Sequence, residues 1–167
     1  MSGIGPISET PDPLDLLPGP STNVLAFGVT VTPVVNRVHL TAFQVARPTA
    51  VANIRISVGT QSGNIAVGIY SATGVQLTTS GSVAVGVPGT QTVPVTPITL
   101  LPGVKYFMAM QIDNTTARFV GVASTGSGAG HMVYHGFCYT VDTTFPLPTP
   151  LTLSTSSAIV YYLMTLA

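Results

Sequence analysis

Charge is scarce in this chain. Among 167 residues there are five Lys and Arg and five Asp and Glu, 6% in all, where an average soluble protein carries roughly a quarter. Five scattered cations give no electrostatic footprint for nucleic acid, so no nucleic-acid partner is expected. Disorder is not expected either, because it couples high charge to low hydrophobicity and 46% of these residues are apolar. Cysteine occurs once, at Cys138, which excludes an intrachain disulfide and a Cys-based zinc site within one chain. The lack of a disulfide framework suits folding in a cytosol. No run approaches the roughly 20 apolar residues of a membrane helix, so no membrane partner is expected. The first residues lack a basic region followed by an apolar one, and export by a secretory signal is not expected. Period 3.6 patterning longer than a turn or two and fixed-period repeats are also missing.

What the chain does have is period 2 between turn signals. Ile65, Val67 and Ile69 alternate with smaller residues, and Val104, Tyr106, Met108, Met110 and Ile112 alternate again after Pro102-Gly103. Such stretches read as half-buried strands. Further strands are expected at Val24 to Val31, Arg37 to Ala46, Ala50 to Gly59, Val75 to Ser80, Ala117 to Ala123 and His131 to Val141. Thr90 to Val95 contains Pro94, which confines it to a sheet edge. Thr143 to Thr152, with Pro146, Pro148 and Pro150, reads as an extended surface segment. Ser157 to Leu166 is apolar on both faces and should lie centrally in a sheet or under another subunit. One apolar face per strand requires a second layer. The expected fold is therefore all-β, an antiparallel two-sheet β-sandwich of jelly-roll type, over residues 22–167.

Residues 1–21 differ in texture. Pro6, Pro11, Pro13, Pro18 and Pro20 forbid helix and central strand, so an extended N-terminal arm is expected. Ile4, Ile7, Leu14, Leu16 and Leu17 are too many aliphatics for an inert tail and are the expected partner-binding anchors. Glu9, Asp12 and Asp15 make the arm acidic, whereas Arg37, Arg47, Arg55, Lys105 and Arg118 all follow it. An acidic arm suits a basic surface, including a neighbour's. A nearly uncharged body leaves little to keep molecules apart, so much of the surface should be covered by partners.

Chemistry is thin. Outside the arm the carboxylates are Asp113 and Asp142, both in turn contexts, where a side-chain turn cap is the ordinary role. His131 and His135 on one strand face would stand about 13 Å apart, too far to share a metal ion. Cys138 in an aromatic strand reads as a small buried apolar group. The loop Gly126 to Gly130 lacks the lysine and helix of a phosphate loop. Tyr134, Phe137, Tyr139 and Phe145, with His131 and His135, are candidate interface residues that suit either a subunit contact or a sugar. No catalytic residue, metal or cofactor is expected.

Four stretches, I-R-I-S-V at 54–58, G-N-I-A-V-G-I-Y-S-A-T-G at 63–74, L-L-P-G-V-K-Y-F-M-A at 100–109 and D-N-T-T-A-R-F at 113–119, carry a family resemblance. Together they resemble a β-sandwich module of tailed-bacteriophage virion proteins, both capsid decoration proteins and tail-fibre heads. The resemblance implies a non-enzymatic structural protein, commonly a homotrimer, made in the host cytoplasm and placed on the virion. It transfers no functional residues. A capsid decoration (cement) protein on the outer capsid surface is the first expectation, with the major capsid protein and copies of itself as partners. An arm of this length spans up to about 70 Å when extended, enough to reach adjacent capsomers. The alternative is a tail-fibre or tail-tip head that binds host-surface glycans through loops near Gly126 to Pro150.

Overall fold

A computed structural model describes residues 26–123, 138–153, 160–162 and 164–167. The arm and its anchors Ile4, Ile7, Leu14, Leu16 and Leu17 lie outside the described residues. Among the described residues there are twelve strands: β1 (Ala26–Val31), β2 (Arg37–Phe43), β3 (Thr49–Thr60), β4 (Asn64–Ser71), β5 (Gln76–Thr79), β6 (Val83–Ala84), β7 (Gly89–Leu100), β8 (Tyr106–Ile112), β9 (Arg118–Ala123), β10 (Cys138–Asp142), β11 (Val160–Tyr162) and β12 (Met164–Leu166). They form two six-stranded antiparallel sheets packed face to face.

The chain crosses repeatedly from one sheet to the other. One sheet runs β1-β9-β3-β7 and the other β2-β8-β4-β5, the alternating order of an eight-stranded jelly roll. β6 pairs with β4, and β10 adds to the free side of β2. The last two strands fill a gap in the first sheet. β3 and β9 pair directly at Val58↔Phe119 and then diverge. Into the opening go β11, antiparallel to β9, and β12, antiparallel to β3. Because β3 and β9 are themselves antiparallel, β11 and β12 run in opposite directions. The C-terminal stretch is thus central in a sheet, as its apolar faces require, but as a V of two three-residue strands rather than one strand.

β3 shows the expected alternation, with Val51, Ile54, Ile56 and Val58 buried and Ala50, Ala52 and Arg55 exposed. The change of parity falls at the irregularity between Val51 and Asn53, where Ala52 of β3 faces three residues of β7, Val95 to Pro97. Pro94 and Pro97 sit at that irregularity, and β7 pairs only with β3. The edge position expected for Pro94 is observed. A sheet edge with a bulge lets one twelve-residue strand pass through both prolines, where the sequence reads as two segments.

The half-buried reading fails for β4 and β8. Every residue from Ile65 to Tyr70 and from Tyr106 to Ile112 is buried. Their inner faces (Ile65, Val67, Ile69, Tyr106, Met108, Met110, Ile112) make the inter-sheet core. Their outer faces (Ala66, Tyr70, Phe107, Ala109) join Val38 and Leu40 in a second apolar layer beneath Leu147 and Leu151. Residues 143–153 are therefore not an open surface segment. They form a strap across the second sheet, and each large side chain it covers contributes about 1.5–3 kcal/mol relative to exposure.

Small residues allow the strap to sit this close. A Cβ on Gly68 would come 2.6 Å from Thr78 O and 3.1 Å from Leu147 Cδ1. Gly74 has φ 83°, and a Cβ there would strike the Leu151 carbonyl oxygen. Three prolines deny the strap backbone donors, so side chains supply them. The Tyr70 hydroxyl donates to Pro148 O at 2.6 Å, and Gln111 Nε2 donates to Thr143 O at 2.9 Å. Gln76 Nε2 donates to the Tyr70 oxygen at 3.0 Å, and Thr149 Oγ1 donates to Gln76 Oε1 at 2.7 Å. Leu151 N donates to Gly74 O at 2.9 Å.

Two glycine substitutions separate conformation from contact. Gly103 also has positive φ (73°), but nothing lies within 4 Å of its would-be Cβ. Gly103→Ala is expected to cost about 1 kcal/mol in chemical denaturation, the backbone term alone. Gly74→Ala should cost at least about 2 kcal/mol, because the strap must also shift. Equal costs would show that the strap does not bear on Gly74.

Candidate functional site

Of the two turn carboxylates, Asp113 is fixed by its neighbours. Its Oδ1 accepts from Asn64 N at 2.8 Å and Asn114 Nδ2 at 3.0 Å, and its Oδ2 accepts from Asn64 Nδ2 at 2.7 Å. Burial alone would raise its pKa, but the backbone and side-chain donors of Asn64 and then Asn114 outweigh that, and the carboxyl is held below its ordinary value of 3.8. Such a group stays ionised and accepts hydrogen bonds. It is poorly placed to carry a proton near neutrality.

The structure refines the expected turn cap. Asn114, not Asp113, caps the β8–β9 turn, with its Oδ1 accepting from Thr116 N at 3.0 Å and Ala117 N at 2.8 Å. Asp113 instead staples the end of β8 to the start of β4. Gly63, at φ 56°, completes the joint, since a Cβ there would lie 2.5 Å from Asp113 Oδ1. The sequence signal for this joint was the pairing of Gly63-Asn64 with Asp113-Asn114, two polar pairs that strand periodicity passes over.

The other candidates do not converge on a site. His131, Tyr134, His135 and Phe137 lie outside the described residues. Cys138 and Tyr139 are in β10, opposite Thr41 and Leu40, and Asp142 ends that strand opposite Arg37. Phe145 packs against the layer beneath the strap, so its ring serves the body. Tyr162 is buried in the inter-sheet core, edge-on to His39 at 5.0 Å and to Phe119 at 6.3 Å between ring centroids. Among the described residues no group of three or more His, Cys, Asp or Glu is arranged to hold a metal ion. Two shallow depressions occur. One of about 440 Å³ is lined by Val34, Val35, Asn36, Arg37, Thr143 and Thr144. The other, of about 380 Å³, lies where β7 bulges away from Ala52 and Asn53 beside Ala167. Neither gathers an acid and a base.

The surface is more telling than the depressions. The outer face of the first sheet is open and almost neutral. Thr90, Thr92, Pro94 and Thr96 of β7 and Thr165 of β12 are exposed on or beside it, and Arg55 and Arg118 supply its charge. The two ends of the sandwich also differ. Asp113 and Asp142 both lie at the end where β2 and β4 begin. At the opposite end, where β1 begins, Leu101 (56% exposed), Val75 (51%) and Val104 (41%) lie together beside Arg47 and Lys105, whereas the exposed Val34 and Val87 at the acidic end sit on separate connections. Sequence reasoning placed these apolar residues in strands or turns and not on a surface; L-L-P-G-V-K at 100–105 was the available signal.

The shifted groups predict a stability window. Asp113 has a depressed folded pKa, so its contribution is present above 3.8 and is lost as pH falls toward the folded value. Burial pushes the Tyr70 hydroxyl above 10.0, against a smaller opposing effect of Gln76, and burial alone pushes Tyr162 above 10.0. Unfolded tyrosines release their protons first, so stability should fall as pH rises past about 10. Thermal unfolding against pH is expected to show a plateau between these limits. Asp113→Ala should lower stability by about 1 kcal/mol at neutral pH and flatten the acid limb. Tyr70→Phe should reduce the alkaline slope. Searches against protein-family models, curated proteins and solved structures find nothing that matches this chain.

Proposed function

We propose that this chain is a non-enzymatic structural protein of a tailed-bacteriophage virion, a capsid decoration (cement) protein that binds and stabilises the assembled shell. Its N-terminal arm docks on neighbouring subunits, and its partners are the major capsid protein and further copies of itself. The observation that carries the reading is the outer face of the first sheet: a threonine-rich surface whose exposed charges are Arg55 and Arg118. A lattice contact repeated many times needs shape and neutrality more than charge, because like charges brought together at each repeat would accumulate. Weak contacts of face and arm, repeated around an oligomer, add by avidity.

Two further features support it. The four stretches that carry the family resemblance are those that build β3, β4, the β7–β8 turn and the Asp113 joint, so the likeness lies in the body. Of the two turn carboxylates, Asp113 is committed to a joint, and the buried Tyr70 with Gln76 serves the strap. The alternative, a tail-fibre or tail-tip head binding glycans through Gly126 to Pro150, has less to work with, since residues 143–150 are tied across the second sheet.

Purified protein mixed with undecorated shells should co-sediment at hundreds of copies per particle and raise the temperature at which the shells come apart. Deleting Met1 to Ser21 should weaken that binding about tenfold or more. A copy number of a dozen or fewer, with binding to cells in place of shells, would establish the tail-fibre alternative.

A further inference from the structure

The exposed aliphatics at the end where β1 begins sit on connections that the strand pairing brings together. Ser71 pairs with Tyr106, so the β4–β5 and β7–β8 connections run side by side, carrying Val75 on one and Leu101 and Val104 on the other. Phe43 also pairs with Tyr106, and Thr49 pairs with Leu100. This lays the β2–β3 connection, with Arg47, against Leu101. Lys105 adjoins Val104, its Nζ 5.1 Å from the centre of the Phe107 ring. The result is an apolar patch flanked by two cations.

The chain itself contains a segment with the complementary character. Residues 1–25 join β1 at this same end, and they carry Ile4, Ile7, Leu14, Leu16 and Leu17 together with Glu9, Asp12 and Asp15. The remaining acidic side chains, Asp113 and Asp142, are at the opposite end of the sandwich. Aliphatics would meet aliphatics, and three carboxylates would meet Arg47 and Lys105.

The arm is long enough to reach the patch of another copy. The first sheet has six strands at a spacing of about 4.8 Å, so the end of the body is about 24 Å across. In the extended form that five prolines favour, at about 3.1 Å per residue, Leu17 stands about 28 Å from Ala26 and Ile4 about 70 Å. The anchors outreach the molecule that bears them. We propose that residues 1–25 dock on the patch formed by Val75, Leu101 and Val104, with Arg47 and Lys105, of a second copy of this chain. The proposal does not depend on the virion reading, because both partners are this polypeptide.

The test uses the full chain in solution, by sedimentation velocity and light scattering from about 1 µM to about 1 mM. The wild type should show a mass that is a multiple of 17.2 kDa in the upper part of that range. The double variant Leu101→Ser, Val104→Ser should weaken self-association about tenfold or more with its thermal midpoint unchanged, since both side chains are exposed. Arg47→Glu with Lys105→Glu should also weaken it. Adding Glu9→Lys, Asp12→Lys and Asp15→Lys to that pair should restore it. A monomer throughout, including one whose arm cross-links to its own patch, overturns the proposal. So does self-association that neither patch variant alters.

Discussion

A proline-rich segment can donate few backbone hydrogen bonds, yet here one covers the apolar outer face of the second sheet. That constraint organises the second sheet. Carbonyls on the strap need donors from below, and the face below must be apolar enough to be worth covering and shallow enough to be approached. Tyr70, Gln76 and Gln111 provide the donors, while Ala66, Gly68 and Ala109 provide the room. β4 and β8 consequently lie between two layers, and the fold has a third, thin layer that a simple two-sheet sandwich lacks. Among the described residues no strap crosses the other sheet, and its outer face is correspondingly polar.

Much of this was readable beforehand where the signal is local. Alternation in β3, Pro94 at an edge, Gly at the positive-φ turns and the apolar C-terminal stretch all follow from properties of a few adjacent residues. What escaped was relational. Ala66 and Ala109 look like the polar-side filler of half-buried strands until Leu147 and Leu151 are known to lie above them. Asp113 looks like a turn cap until Asn64, 49 positions earlier, is found against it. The two strands of the C-terminal V could not be told from one strand, because a reversal between β11 and β12 leaves no mark in apolar periodicity. The expected site was less legible still. The candidate aromatics and histidines fall largely outside the described residues, and Phe145, which is described, turns inward. The patch of Val75, Leu101 and Val104 was not foreseen, because exposed aliphatics beside turns carry no periodic signature.

The molecule divides its polar groups between two tasks. Those that are hydrogen-bonded within the fold, such as Asp113, Asn114, Tyr70 and Gln76, hold connections in register. Those left at the surface are mostly hydroxyls, neutral at any ordinary pH. A protein built this way changes its surface charge little across a wide pH range, so contacts made by that surface depend on shape and apolar area more than on ionic conditions.

The V of β11 and β12 carries a consequence for how the chain acquires its shape. Residues 160–162 and 164–166 come after β3 and β9 in the chain, yet they are the filling between those two earlier strands. Until they emerge, β3 and β9 face one another across unsatisfied amides, with Phe119 lacking the ring of Tyr162 that later abuts it. Assembly of the first sheet must therefore wait until β11 and β12 have been made. During that wait the nascent polypeptide presents a slot the width of two strands, the kind of opening a chaperone or a stray β-segment would enter first.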